Sequence, residues 1–136
     1  MEGDAAYAGM EIQIHDDSSP VYRNLRPYQY HGSVYGIVPA ARGHLRPVGE
    51  WNAQEVVMNG RRAAVILNGA VIVDADLDEA SAGEAMDGRP HPGLLNDRGH
   101  IGFLGHGSRV EFRNIRIKSL PVTAVTRSAP GGDHRP

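Results

Sequence analysis

An all-β, mostly antiparallel fold is what this chain predicts, and three observations lead there. Apolar and polar residues alternate in short runs, as in Met10-Glu11-Ile12-Gln13-Ile14-His15, which assigns each set to its own face of a strand. Two Asn-Gly pairs, Asn59-Gly60 and Asn68-Gly69, separate other such runs; both residues of the pair accept positive φ, which makes it a strong two-residue hairpin signal. The 136 residues include 17 glycines and nine prolines, a density of breakers that favours short strands over long helices. The length suits one domain, and the 40% hydrophobic content can furnish its core.

In chain order, the first strand buries Met10, Ile12 and Ile14 and presents Glu11, Gln13 and His15 on the opposite face. Asp16 to Pro20 reads as a turn, and Tyr22 to Tyr30, with Pro27, as an irregular aromatic-rich loop. Val34 to Val38 is a short strand ended by Pro39, followed by the basic loop Arg42-Gly43-His44-Leu45-Arg46-Pro47. Trp51 to Met58, Arg61 to Leu67 and Ala70 to Asp74 then form a meander turning at the Asn-Gly pairs, with Trp51 in the core. Asp76 to Ala85 tolerates a helical turn that Ser81 and Gly83 keep short. Pro90 and Pro92 mark a loop leading to the final strands. There the apolar parity breaks between Val110/Phe112 and Ile115/Ile117, which predicts a bulge near Arg113 and Asn114. Pro121 stops the sheet, and 121–136 reads as a disordered tail. The expected buried set is Ile12, Ile14, Val57, Val65, Leu67, Ile101, Phe103, Phe112 and Ile117.

Composition excludes several classes. Fourteen basic against 16 acidic side chains leave a formal charge of -2, which gives no electrostatic reason to expect nucleic acid. No apolar run approaches the roughly 20 residues of a transmembrane helix. Cysteine is absent, removing disulfides, thiolate metal sites and cysteine nucleophiles. The start, Met1-Glu2-Gly3-Asp4, has neither the basic nor the apolar region of a signal peptide.

The polar strand face is the first candidate site. Glu11, Gln13 and His15 project at successive steps of about 6.5–7 Å, a row that can orient sugar hydroxyls or serve as the solvated side of a half-buried strand. Glu11 also suits a base or a ligand to a divalent metal. His106, between Gly105 and Gly107, is the best single histidine for a base, because an imidazole ordinarily titrates near neutral pH and the glycines leave room for a ligand. If the strands share a sheet, parity places it on the Glu11 side. His31 offers a further loop histidine toward a ligand, Asn52 points away from Trp51, and Arg113 suits a clamp for hydroxyls or for Glu11. Asp16 and Asp17 carry only a weak cation signal. His31-Gly32-Ser33 and His106-Gly107-Ser108 repeat a tripeptide, but no G-x-S-x-G elbow accompanies them.

Gly99 to Leu120, GHIGFLGHGSRVEFRNIRIKSL, read with GMEIQIHD, QYHGSVYG, VPAARG, GEWN, VILNG and HPGLL, resembles the 3-keto-disaccharide hydrolase domain family, a domain of unknown function, in order and from about Gly3 to Leu120. The resemblance implies a concanavalin-like jelly-roll sandwich binding a ligand on a concave polar face. It implies cleavage of 3-keto-glycosides or 3-keto-disaccharides, by elimination and hydration or by hydrolysis, with an oxidised sugar as partner. His106 or Glu11 would be the base, and Gln13, His31, Asn52 and Arg113 would hold the substrate. A divalent metal is compatible with this set, and so is its absence.

Relatives carry several strands before the position of Gly3, so residues 1–120 read as the C-terminal portion of an incomplete jelly roll. Its open strand edges would be a route to self-association. A periplasmic or secreted location goes with the family. This chain departs from relatives at Leu104-Gly105, where many carry Gln-Asp, and at His15, where an aliphatic residue is commoner and exposure is expected. Concanavalin-like glucanases alternate acidic residues along one strand; Gln13 at the middle of the comparable pattern disfavours a two-carboxylate glycosidase, although Asp16 could supply a second acid. The competing classes are a lectin-like module without turnover and an inactive gene fragment.

Overall fold

The computed structural model describes residues 4–121. The expected tail lies beyond Pro121, outside the described residues. The chain divides into two compact units, Met1–Gly102 and Phe103–Pro136.

The first unit is built on one antiparallel meander, β1 (Gln54–Asn59), β2 (Arg62–Leu67) and β3 (Ala70–Asp76), paired in the order β1-β2-β3. This is the expected meander to within a few residues at each end. Leu67 pairs with Ala70, leaving Asn68-Gly69 as the two-residue loop with φ 51° and 88°. The other turn is displaced by one residue: Asn59 pairs with Arg62, so the loop is Gly60-Arg61, with Gly60 at φ 59°.

Along β2, Ala63, Val65 and Leu67 are buried while the residues between them are less so. In β3, Ile72 and Val73 are both buried, which strict alternation forbids. A bulge reconciles them: Val65 pairs with Val73 and Ile66 with Val71, leaving Ile72 as the extra residue. Its side chain then reaches toward Gly32 and Ala40, and its carbonyl accepts from Ala41 N–H at 2.8 Å.

The core lies between this sheet and a layer of irregular chain, and includes Val34, Ile37, Val65, Leu67, Ile72 and Leu94. Full burial of such side chains contributes about 1.5–3 kcal/mol each. The irregular layer is bonded strand-fashion only locally. Ile12 and Val34 form an antiparallel bridge, with Tyr35 N–H donating to Glu11 O and Gln13 N–H donating to Ser33 O, each at 3.0 Å. The expected strand over Val34 to Val38 is instead a reversal whose ends bridge each other, made possible by Gly36 at φ 76°. Short 3-10 turns at Pro20–Tyr22 and Pro27–Gln29 occupy the aromatic-rich loop. The helical turn expected after β3 is α2 (Leu77–Ala80), capped by Asp76, whose carboxylate accepts from the N–H groups of Asp78 and Glu79. A further turn, α1 (Ala5–Ala8), is capped by Asp4.

Several burial expectations are corrected. Val57 pairs with Ala64 and is half-buried on the sheet face opposite Val65, whose own partner is Val56. Ile14 and Trp51 are exposed, at 41% and 40%. Ile101, Phe103, Phe112 and Ile117 are exposed too, because no described residue of 99–121 enters a sheet ladder and alternation without a ladder has no face to bury. Within the second unit the Phe103 and Phe112 rings meet at 4.0 Å. The parity break falls where expected, with Asn114 at φ 55°, as a kink in unpaired chain rather than a bulge between strands.

Candidate functional site

The bridge at Ile12 and Val34 sorts side chains by face. Ile12 packs on the core and Val34 is in it, so their neighbours Glu11 and Tyr35 project together on the other side, as opposite residues of an antiparallel pair do. Gln13 follows along the same segment, bonded through its backbone to Ser33 and Gly32. Glu11 and Gln13 are both half-buried.

Tyr35 stands between two other tyrosines. Tyr7 meets it edge-on at 6.5 Å and Tyr28 at 5.5 Å, with interplanar angles of 85° and 86°. Burial pushes its phenol up from the ordinary value, Tyr7, Tyr28 and Asp87 add to the effect, and Gln29 opposes it. Tyr7 is held in turn by Arg89, whose Nη1 donates to the phenol oxygen at 3.1 Å.

Behind Tyr35 the chain reverses at Gly36, against a buried pair formed by Asp87 and His91. His91 Nε2 lies 3.1 Å from both Asp87 oxygens, its Nδ1 donates to the Ala6 carbonyl at 3.2 Å, and both side chains are almost wholly buried. Burial works to raise the Asp87 carboxyl, but hydrogen bonds from the Arg89 N–H, His91 and Tyr7 outweigh it and hold the group below the usual value. Gly36 is required here because a Cβ would come within 2.5 Å of His91 Nε2 and 2.8 Å of an Asp87 oxygen. An open cleft of about 480 Å³ adjoins, lined by Arg26, Tyr28, Glu84, Met86 and Asp87 among others.

His31 is buried. Its Nδ1 accepts from the His15 N–H at 3.1 Å, which leaves the proton on Nε2. The Gln54 side chain lies toward the ring, yet no hydrogen bond of ordinary geometry reaches the buried Nε2. Desolvation pulls the ring below the usual histidine value, opposed by Gln54 and by the Asp17 charge. Asp17 fastens this corner, accepting from the His31 N–H at 3.0 Å and facing His15 Nδ1 at 3.3 Å. His15 is therefore not the exposed side chain expected: its ring packs on Tyr22 at 4.0 Å. Asp16 caps its own turn, accepting from Ser18 N–H at 3.0 Å and Ser18 Oγ at 2.6 Å.

Asn52 serves a loop junction. Its Oδ1 accepts from Arg46 N–H at 2.9 Å and Asn68 Nδ2 at 2.8 Å, tying the basic loop to the β2–β3 turn. His106 and Arg113 belong to the second unit, where both are exposed and Gly107 follows His106 at φ 83°. The first unit thus brings together Glu11 and Gln13, with His31 in the adjoining loop. Among the described residues, no three His, Asp or Glu side chains converge as a metal-binding group. Sequence reasoning missed Tyr7, Tyr35, Asp87 and His91; the D-x-x-x-H spacing and the Tyr-Gly pair were the available signals.

The chain belongs to the family described as the 3-keto-alpha-glucoside-1,2-lyase-like domain, whose pattern matches residues 1–118. It is 33% identical over 102 residues to a 3-keto-disaccharide hydrolase of Bacteroides thetaiotaomicron, covering 65% of this chain and 35% of the relative. A crystal structure of a "Putative glycosyl hydrolase" from Parabacteroides distasonis matches with a TM-score of 0.52 and 33% identity, covering 63% of this chain and 45% of that one. The chain spans less than half the length of either relative. These likenesses mark it as a carbohydrate hydrolase-like domain.

Proposed function

We propose that this domain, within a jelly-roll sandwich, cleaves 3-keto-glycosides by elimination followed by hydration. The carrying observation is the state of the acids around Glu11. Asp16 is spent on its own turn and Asp17 on the His15–His31 corner, so the neighbouring strand and loop provide no second carboxylate for a two-acid glycosidase. One base is enough when a ketone at carbon 3 acidifies the adjacent carbon-bound hydrogen. A base at Glu11 or His106 removes the proton at carbon 2. The C–H electron pair becomes the C2–C3 double bond while the carbonyl electrons move to oxygen; collapse restores the ketone, forms the C1–C2 double bond and expels the substituent of carbon 1, which takes up a proton. Water then adds across C1–C2. Within the first unit, Gln13 beside Glu11 and His31 in the adjoining loop serve as positioning groups.

The test is incubation of the protein with a 3-keto-glucoside and with its unoxidised parent, products being followed by mass spectrometry with and without chelator. Release from the oxidised substrate alone is expected. Glu11→Gln or His106→Ala should lower the rate by about 10²–10⁴-fold, according to which is the base. Equal release from both substrates, or binding without release, would overturn the reading. The second of these outcomes would favour a lectin-like module, which Leu104 and Gly105 at the positions before His106 would accommodate.

A further inference from the structure

Tyr35 is the one polar side chain that the backbone register sets directly across from Glu11. Tyr35 N–H donates to Glu11 O, and opposite residues of an antiparallel pair carry Cβ atoms about 4.5–5.5 Å apart. A carboxylate and a phenol on one face, one strand apart, match the two roles an enolising site must fill: a group that accepts a proton from carbon, and a donor at the oxygen where negative charge accumulates.

The surroundings hold the phenol in place. Two edge-on tyrosines confine its ring, the Tyr7 ring is anchored by Arg89, and the next residue is a glycine wedged against the buried Asp87–His91 pair. An aromatic ring flanked by two others spends little entropy in meeting a ligand, and a raised phenol value keeps its proton available as a donor at neutral pH.

We propose that Tyr35 is a catalytic residue that donates its phenol hydrogen bond to the carbon-3 oxygen of the substrate while Glu11 removes the proton from carbon 2. The assignment rests on the elimination reading above. The phenol keeps its proton throughout: it stabilises the enolate oxygen and is released from that bond when the ketone re-forms, so the step balances without a co-reactant.

Tyr35→Phe is the informative variant because it keeps the ring between Tyr7 and Tyr28 and removes only the O–H. On a 3-keto-glucoside, kcat should fall by about 10²–10³-fold, as for loss of an oxyanion donor. KM should change by less than about threefold and the melting temperature should be preserved. A Tyr35→Phe rate within about threefold of wild type would overturn the assignment and leave the elimination reading standing. Titration calorimetry with the 3-keto sugar covers the other branch. If the wild type binds but does not turn over, the elimination reading falls and the catalytic role of Tyr35 falls with it. A wild type that neither binds nor converts the sugar overturns both.

Discussion

At His31 the ring is buried and its Nδ1 is occupied by the His15 N–H, so protonation would break a hydrogen bond as well as desolvate a charge. Its value in the folded chain is therefore below the ordinary 6.5. The unfolded chain binds more protons than the folded one in the window from 6.5 downward to the folded value, so stability is full above that window and declines as pH falls through it. Melting temperatures measured from pH 7.5 down to about 5 should fall more steeply for wild type than for His31→Asn, whose side-chain oxygen can still accept from His15. Parallel curves would show that His31 does not set the slope. Asp87 acts in the same proton sense at lower pH: its depressed value adds stability that is present above the ordinary 3.8 and lost as pH falls through the folded value.

Gly36 shows how a single element depends on one missing atom. The reversal from Val34 to Val38 needs φ 76°, and its inner side touches the Asp87–His91 pair, so Gly36→Ala combines backbone strain with overpacking. A loss of about 1–3 kcal/mol is expected in urea unfolding, with Gly43→Ala, also at positive φ but in open space, costing less. Equal losses would place the cost in the backbone alone. The β2–β3 turn is the second test. Asn68 sits at φ 51°, bonds Ala53 in both directions and donates to the His44 carbonyl. Asn68→Ala should cost about 1–3 kcal/mol through the donors and acceptors it leaves behind, whereas a change under half a kcal/mol would mean that water replaces them readily. The meander was legible because Asn-Gly fixes a turn locally. The Ile72 bulge was not, since it exists to seat a side chain against Gly32, some 40 residues earlier in the chain.

Over the whole molecule, apolar side chains outside the core are the main physical liability. Val56 and Met58 lie exposed on β1, an edge of the three-stranded sheet, and in the second unit Leu104, Ile115 and Ile117 are exposed by more than half. An open strand edge beside apolar surface favours pairing with another chain. Concentration-dependent self-association is therefore expected in size-exclusion chromatography with light scattering, and Met58→Lys, which places a charge on the β1 edge, should shift the distribution toward monomer. A monomer at every concentration would refute it.

Local chemistry was readable directly from the order of residues: the Asn-Gly meander, the short helical turn after β3, and the shared parity of Glu11 and Gln13 along one segment. Each depends on a residue and its near neighbours in the chain. What only the tertiary structure decided is which groups meet across long separations. Asp87 and His91 brace Gly36, Tyr7 and Tyr28 frame Tyr35, and His31 takes its tautomer from His15. Periodicity also failed for Ile101, Phe103, Phe112 and Ile117, because alternation states which residues share a face and not whether another layer covers it. Burial is a property of what packs against a segment, and for these residues that partner is encoded elsewhere than in their own pattern.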